Sequence, residues 1–244
     1  MIAAIALAIN YFGFTKGVEL TSPTTAQVVI QFGPISLGIV GILFFKEKIT
    51  KRQASGFLIA FLGLALFYYH QINNLIASDI EVFNTGFLWV VIAAIAWLTY
   101  ASLQKILVKT YDAQMLNLII FGLPSILYLP FVEFKDLQDV SVSSWALLVF
   151  LGANTIIAYG SLAMAFKYAD VNKVSVIITL NPILTFIIMA ILFQLKINWV
   201  ETEQMGFETW AGALLVIIGA LIAVYAKNKP KSIKNKLIKQ KQIE

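Results

Sequence analysis

Polar side chains occur at matched positions in two long apolar segments of the chain. Gln27 and Gln31 lie four residues apart, so a helix places them on one face. Their counterparts 148 residues later are Ser175 and Thr179, again a polar pair. Uncharged hydrogen-bonding groups can bind a neutral or zwitterionic solute, and the pattern predicts a stripe that faces a cavity. Hydrogen bonds between neighbouring helices are the alternative role of these side chains.

Aromatic side chains with hydrogen-bonding groups follow the same repeat. Tyr11 has Tyr159 as its counterpart, and both lie well inside their apolar segments. Trp97 and Tyr100 share a helical face with Gln104 on another segment. Aromatic walls with hydrogen-bond donors suit small amphipathic solutes, whereas lipid-facing or closely packed aromatics are the alternative. These residues are therefore further candidates for the wall of a solute cavity.

A proline interrupts each of the two segments that carry the polar pairs. Pro34 and Pro182 stand at matched positions, and each lacks the N–H that the carbonyl four residues earlier requires. In a bilayer such a carbonyl must face protein or a water-filled cavity. The duplication favours a kink that opens a cavity over a static packing kink. The candidate substrate-cavity residues are Tyr11, Gln31, Pro34, Trp97, Tyr100, Asn154, Tyr159, Thr179, Asn181 and Pro182.

Several kinds of chemistry lack the residues that they require. The chain has no cysteine and a single histidine, His70, and no charged residue lies deep in an apolar segment. This composition argues against a membrane-embedded enzyme and predicts no metal site, no cofactor and no nucleic-acid partner. A site without charge favours a neutral or zwitterionic metabolite over a strongly charged one.

The segments that position these residues are apolar enough to cross a bilayer. Hydrophobic residues make up 59% of the 244 residues and charged residues 13%, against about 25% in soluble domains. The mean hydropathy is +0.83. We therefore predict an all-α integral membrane protein with eight transmembrane helices. The eight windows are Met1–Gly17, Thr24–Phe45, Arg52–Tyr69, Gly86–Val108, Met115–Val132, Ser144–Phe166, Lys173–Leu195 and Thr209–Ala226.

The placement of basic residues predicts the orientation of the chain. With the Lys-rich tail in the cytoplasm, 15 of the 18 basic residues fall on the cytoplasmic side. Without the seven tail lysines the ratio is still 8 to 3. We therefore expect a multi-pass protein of the cell membrane with both termini in the cytoplasm.

Two segments of the chain resemble each other. Phe32–Thr50 and Leu180–Asn198 agree at six of 19 positions, and the helix that follows each of them carries two glycines seven residues apart. Five predicted helices separate equivalent elements, and an odd number inverts their direction across the membrane. Inverted repeats are typical of secondary transporters, whose substrate sites lie between the repeats. The glycines are Gly56 and Gly63 in the first copy and Gly212 and Gly219 in the second.

These motifs carry a resemblance to a known family. The proline, the apolar run and the turn "KEKIT" in Phe32–Thr50, with the echo that begins "AYGSLAMAFKYADVNKVSVIITLNPILTF", resemble EamA-type permeases of the drug/metabolite transporter superfamily. The resemblance covers essentially residues 1–227, and Glu47 matches the family's glutamate, whereas Leu195 stands in its place in the second copy. It implies ten helices in two inverted five-helix repeats. It also implies that the first two of these helices are absent, which leaves an incomplete 3+5 arrangement.

The repeat and the resemblance together predict the domain organisation and the function. We expect a permease that moves a small neutral or zwitterionic, amino-acid-like metabolite by alternating access, in the direction of export. A truncated, non-transporting remnant or an assembly subunit of such a permease is the alternative. The expected partners are the lipid bilayer and a small-molecule substrate, and a homodimer is left open. The predicted parts are a partial first repeat (1–70), an outside connecting loop (71–85), a second repeat (86–227) and a basic cytoplasmic tail (228–244).

Overall fold

A computed structural model of the chain is all-helical over the residues that it describes. These residues are 1–21, 23–69, 80–133, 135, 140–181, 183–184, 187–188, 191 and 206–225. Within these ranges there is no β-strand. The helices are α1 (Ile2–Leu20), α2 (Pro23–Ile30), α3 (Phe32–Leu43), α4 (Lys51–Phe67), α5 (Ile80–Leu107), α6 (Ala113–Tyr128), α7 (Val142–Tyr168), α8 (Val171–Ile178) and α9 (Phe207–Tyr225), with a 3-10 turn at Leu129–Phe131.

Within the described ranges, four helices are long and apolar enough to cross a membrane, and α3 is a shorter apolar helix. This finding agrees with the predicted all-α membrane class, whereas the count of eight spans and the repeat boundaries stay predictions. The predicted tail at 228–244 and the connecting loop up to residue 79 lie outside the described residues. The four spans are Thr85–Leu107, Ala113–Phe131, Val142–Tyr168 and Phe207–Val224.

Local sequence signals fix where several helices begin. Thr50 and Gln53 form a capping box at the start of α4, in which the Gln53 N–H donates to Thr50 Oγ1 (3.1 Å) and the Thr50 N–H donates to Gln53 Oε1 (2.8 Å). Asp112 caps α6 by accepting from the N–H groups of Gln114 and Met115. The N–H groups of Met115 and Gln114 hold the pKa of the Asp112 carboxyl below its usual value.

The α4–α9 pair is in the closest backbone contact, because glycines face each other across it. A Cβ added to Gly63 would lie 2.7 Å from the Val216 nitrogen and 2.9 Å from the Gly212 oxygen, and one added to Gly56 would lie 2.7 Å from the Gly219 oxygen. No side chain fits at such distances, so the two helices approach as closely as their backbones allow. Gly63 faces Gly212 and Gly56 faces Gly219, so the glycine pair of each repeat packs against the glycine pair of the other.

A second close pair is formed by α1 and α5. A Cβ on Gly13 would lie 2.9 Å from the Trp89 oxygen, so a larger residue there would push the helices apart. Buried Asn10 strengthens the contact, because its Nδ2 donates to the Ala93 carbonyl over 2.9 Å. This pair carries one wall of the cavity described below.

The N-terminal half of α7, called its outer half below, lies apart from this packing. Every residue from Ser141 to Asn154 is exposed, and only 11% of the apolar span on α7 is buried, against 39% for the span on α5. The inner half of α7 is held by Gly160, Ala163 and Phe166, which are buried. An apolar helix of this length with one bare half therefore presents a large surface to the membrane or to a partner.

Candidate substrate cavity

A cavity of about 870 Å³ lies between the helices of the two halves of the chain. Its walls come from α1, α2, α3, α5, α7, α8 and α9. Most of its lining is apolar, which is typical of small-molecule sites. The lining residues that the sequence analysis named are Tyr11, Gln27, Gln31, Pro34, Trp97, Tyr159 and Asn181, and Ser161 also lines the cavity.

An aromatic cluster forms the wall beside α1, α5 and α7. The Tyr159 ring lies 5.9 Å from that of Tyr100 and 4.9 Å edge-on from that of Phe121, measured between centroids. Tyr11, Trp97 and Tyr159 face the cavity, whereas Tyr100 is completely buried behind them. The wall therefore combines ring faces with hydroxyl and indole donors.

A buried hydrogen-bond chain holds Tyr159 in place. Gln104 on α5 donates from Nε2 to Asn117 Oδ1 on α6 over 2.7 Å, and Asn117 Nδ2 donates to the Tyr159 carbonyl over 3.2 Å. These hydrogen bonds join α5, α6 and α7. Breaking them would leave buried polar groups unpaired in an apolar environment, which is costly in free energy. Gln104, which the sequence placed on the face of Trp97 and Tyr100, therefore positions a cavity residue.

The break between α2 and α3 supplies a further part of the cavity wall, next to Trp97. The helix ends at Ile30 and begins again at Phe32, with Gln31 between them and Pro34 one turn later. Gln31 and Pro34 both line the cavity and are buried. Gly33 lets the break approach α5, because a Cβ there would lie 3.1 Å from Trp97 Cε3. The predicted single helix over Thr24–Phe45 is therefore two helices, as a proline in its middle favours.

A smaller, apolar pocket of about 170 Å³ lies between α3, α4 and α8. Thr179 and Ser175 lie at its wall. Their hydroxyls donate to carbonyls of their own helix, Thr179 Oγ1 to Val176 over 2.7 Å and Ser175 Oγ to Asn172 over 3.1 Å. The polar pair of the second half therefore satisfies its own backbone, which short hydroxyl side chains do readily.

The structure brings together six of the ten predicted site residues. Thr179 lines the smaller pocket and Tyr100 stands behind the cavity wall, so neither lines the large cavity. Asn154 is exposed on the outer half of α7, two turns before the lining residue Ser161, and it does not line that cavity. Pro182 lies outside the described residues. The six that line the large cavity are Tyr11, Gln31, Pro34, Trp97, Tyr159 and Asn181.

The sequence analysis did not name Asn10, Phe14 or Lys173 as cavity residues, and they are polar or aromatic residues of the cavity wall. Asn10 and Phe14 line the cavity on the same helix as Tyr11, one and three residues away from it. Their closeness to Tyr11 in the sequence was the one sign that they belong to the same wall. Lys173 also lines it, and its Nζ pairs with Asp170 Oδ2 at 3.2 Å. A lysine at the end of an apolar segment gives no sign of whether it turns toward water or toward a cavity.

Two charged side chains make hydrogen bonds at one end of the helices, and that of Glu47 joins the two halves of the chain. Glu47 follows α3 and accepts two hydrogen bonds from the first N–H groups of α8, with Oε1 2.6 Å from the Val171 nitrogen and Oε2 3.0 Å from the Asn172 nitrogen. Lys105 at the end of α5 donates from Nζ to the carbonyls of Phe166 (2.7 Å) and Ala169 (2.6 Å). Both side chains hold the corner between α7 and α8, and both satisfy helix-end groups that would otherwise be unpaired.

A metal centre has no candidate among the residues that the structure describes. No group of three His, Cys, Asp or Glu side chains there could hold an ion. The described site consists of aromatic rings, amides, hydroxyls and the ion-paired Lys173 around a cavity between apolar helices. These features define a multi-pass membrane protein with a solute-sized cavity.

Comparisons with known proteins identify the family. A model of the EamA-like transporter family matches residues 1–69 and 84–225. The chain is 27% identical over 223 residues to a protein named "Uncharacterized transporter" from Haemophilus influenzae, covering 91% of this chain and 72% of that protein. It is 28% identical over 226 residues to the "Uncharacterized inner membrane transporter YhbE" of Escherichia coli, covering 90% of this chain and 68% of that protein.

A solved structure shares the fold. The protein with the description "Crystal structure of protein" superposes with a TM-score of 0.70 at 16% identity, over 91% of this chain and 73% of that one. The chain therefore belongs to the EamA-like transporter family, a family of membrane transporters, as its sequence motifs indicated. The family and the names of the relatives indicate a transporter and not an enzyme.

Proposed function

We propose that the chain is a carrier that moves a small neutral or zwitterionic, amino-acid-like metabolite across the cell membrane. The observation that carries this proposal is the cavity of about 870 Å³, whose walls combine aromatic rings with uncharged polar groups from both halves of the chain. Such walls bind solutes that have an apolar body and a few hydrogen-bonding groups. Transport occurs by alternating access, in the direction of export, with both termini in the cytoplasm.

Two features of the cavity support a carrier that changes shape. The α2–α3 break lies in its wall, and broken helices at the interface of repeats are where transporters hold their substrates. At one end of the helices, Glu47 accepts from the start of α8 and Lys105 donates to the end of α7, so hydrogen bonds to helix ends hold this corner beside the cavity.

Counterflow in liposomes tests this proposal. The purified chain should exchange a labelled amino acid, from a panel that includes phenylalanine and leucine, in a saturable manner. Ser161→Trp places an indole in the cavity and should lower the flux at least about tenfold, because a filled site excludes the solute. Ile156→Trp on the exposed side of α7 is the matched control and should leave the flux unchanged.

Saturable flux that Ser161→Trp leaves intact would contradict the assignment of the cavity as the solute path. If no solute in the panel shows saturable flux, the proposal that this chain alone is a carrier is contradicted. The absence of flux would favour the alternative function, which the exposed part of α7 and the length of the relatives also support.

That alternative is an incomplete permease that requires more helices. The helix α7 is exposed from Ser141 to Asn154, and only 11% of its apolar span is buried, although α1, the repeat counterpart of its residues from 150 onward, packs closely against α5. The relatives from Haemophilus influenzae and Escherichia coli are also longer than the matched region, which covers 72% and 68% of them. A pair of helices placed against α7, as α5 and α6 are placed against α1, would cover this surface.

Two measurements separate the alternatives. Reading the DNA upstream of Met1 for an in-frame segment that encodes two apolar helices of about 20 residues each tests the incomplete form directly. Co-expression with the part of the Haemophilus influenzae relative that this chain does not match tests it functionally. Flux that appears only with the added segment would support the incomplete form, and flux from the chain alone would contradict it.

A further inference from the structure

A crevice separates the consecutive helices α3 and α4. The helix α4 packs along α9, whereas α3 packs along α8, so the backbones of α3 and α4 lie apart. The smaller pocket of about 170 Å³ lies between them, with α8 as its floor. It extends along α4 from Phe57 to Leu64, about 10 Å at the rise of an α-helix, and its lining is almost entirely apolar.

The smaller pocket opens outward, toward the membrane. Ile39 on α3 and Phe61 on α4 lie in its wall, and each of them is 52% exposed. None of the residues that line it lines the large cavity, so the two spaces are separate. A bilayer presents acyl chains to the exposed apolar residues of the helices within it. The smaller pocket is therefore open to a lipid tail.

A basic turn lies at one end of the smaller pocket. Residues 44–50 connect α3 to α4, and Glu47 within this turn accepts hydrogen bonds from the start of α8, so all three helices that line the pocket meet there. Arg52 precedes Phe57 by five residues, about 8 Å along α4, which places the turn just beyond the pocket. The exposed basic residues of the turn and of the start of α4 are Lys46, Lys48, Lys51 and Arg52.

The charge of this basic turn selects the kind of lipid. None of its four basic side chains forms an ion pair with another residue that the structure describes. Both carboxylate oxygens of Glu47 accept from N–H groups of α8, and Asp170 beside them pairs with Lys173. The turn therefore keeps an excess of positive charge. Such a cluster attracts a lipid with a net negative charge more than a zwitterionic lipid, whose ammonium group it repels.

We propose that an anionic phospholipid binds along the α3–α4 hairpin, with one acyl chain in the smaller pocket and its phosphate at the basic turn. The tail then points toward the middle of the bilayer and the headgroup lies at its surface, as in the surrounding leaflet. The pocket lies where α3 of the first half packs on α8 of the second. Bound lipid therefore stabilises the contact between the halves and raises the melting temperature.

Thermal unfolding of the purified chain in detergent micelles tests this proposal. Phosphatidylglycerol and phosphatidylcholine with the same acyl chains are added at increasing mole fractions, and the fraction that half-saturates the rise in melting temperature is measured. Phosphatidylglycerol should half-saturate at a mole fraction at least about tenfold lower than phosphatidylcholine, because several basic residues act on its charge together. Glycerol phosphate, which carries the charge without an acyl chain, should leave the melting temperature unchanged.

Two substitutions test the two parts of the site separately. Lys48→Gln removes one charge from the turn and should weaken the binding of phosphatidylglycerol about fivefold, the effect expected of one basic residue near a membrane surface. Lys167→Gln, at the exposed end of α7, is its control and should leave binding unchanged. Ile39→Trp fills the smaller pocket and should weaken binding at least about tenfold, because a filled pocket excludes the acyl chain. Ile92→Trp, on the exposed face of α5, should leave binding unchanged.

Equal binding of the two lipids, or equal effects of Lys48→Gln and Lys167→Gln, would overturn the lipid site. A stabilisation by glycerol phosphate that matches that of phosphatidylglycerol would assign the turn to a free phosphate and overturn it as well. Unchanged lipid binding in Ile39→Trp, or a change of this variant from dimer to monomer, would assign the smaller pocket to another occupant and overturn the proposal. Lys48→Gln alters an exposed turn, so it decides the question even if Ile39→Trp does not fold. Transport enters none of these measurements, so their failure leaves the proposed carrier function as it stands.

Discussion

Replacing Gly63 with leucine is expected to abolish folded, monodisperse protein. A Cβ at this position lies 2.7 Å from the Val216 nitrogen and 2.9 Å from the Gly212 oxygen, and these backbone atoms cannot move aside as a flexible side chain can. Overpacking a close contact costs about 1–3 kcal/mol or more, which is a large part of the stability of a folded chain. Size-exclusion chromatography and thermal unfolding in detergent measure the outcome.

Gly122 provides the matched control for this prediction. It also lies within a helix, α6, but nothing lies within 4 Å of a Cβ built on it. Gly122→Ala should therefore be neutral or stabilising by up to about 1 kcal/mol, since alanine favours the helix over glycine. A Gly63→Leu protein that folds as well as Gly122→Ala would mean that α4 and α9 are not in contact as described.

Replacing Glu47 with glutamine is expected to lower the melting temperature by about 5–10 °C. The carboxylate accepts two hydrogen bonds from the start of α8, and glutamine offers one acceptor and one donor to the same two N–H groups. A hydrogen bond to a charged group contributes about 1.5–3 kcal/mol, and each kcal/mol shifts the melting temperature by about 2–4 °C in a chain of this size. Thermal unfolding of the purified variant checks this.

An exposed ion pair supplies the comparison for Glu47. Glu19 and Lys16 lie 2.9 Å apart near the end of α1, but both side chains are exposed, 62% for Glu19 and 40% for Lys16. Glu19→Gln should change the melting temperature by no more than about 2 °C, because exposed ion pairs contribute little. Equal effects of the two substitutions would show that Glu47 does not bridge the two halves.

Part of the architecture follows from the sequence. The proline at position 34 predicted a kink, and the helix is interrupted just before it, since α2 ends at Ile30 and α3 begins at Phe32. Two glycines seven residues apart lie on one face of a helix and let another helix approach closely, and α4 and α9 meet through such pairs. Both signals are local, because a missing N–H or a missing Cβ has the same consequence in any apolar helix.

The rest required the packed structure. Thr179 aligns with Gln31 in the repeat, yet its hydroxyl is satisfied by Val176 of its own helix, a solution that the longer glutamine side chain did not adopt. Asn154 lies on the helical face of Ser161, but that face extends beyond the cavity. Glu47 bonds to a residue 124 positions later, and no local pattern predicts a contact of that separation.

The central claim, that the large cavity is a solute path opening alternately to the two sides, has a direct test in thiol accessibility. The chain has no cysteine, so Ala158→Cys places a single thiol in the cavity wall, and Ile157→Cys places one on the exposed surface beside it. An impermeant thiol reagent is added to either side of oriented membranes, with and without a solute that undergoes counterflow. The thiol at position 158 should react from both sides, and solute should slow both reactions, whereas that at position 157 should be insensitive to solute. Reaction of position 158 from one side only, unaffected by a solute that is being exchanged, would contradict the account.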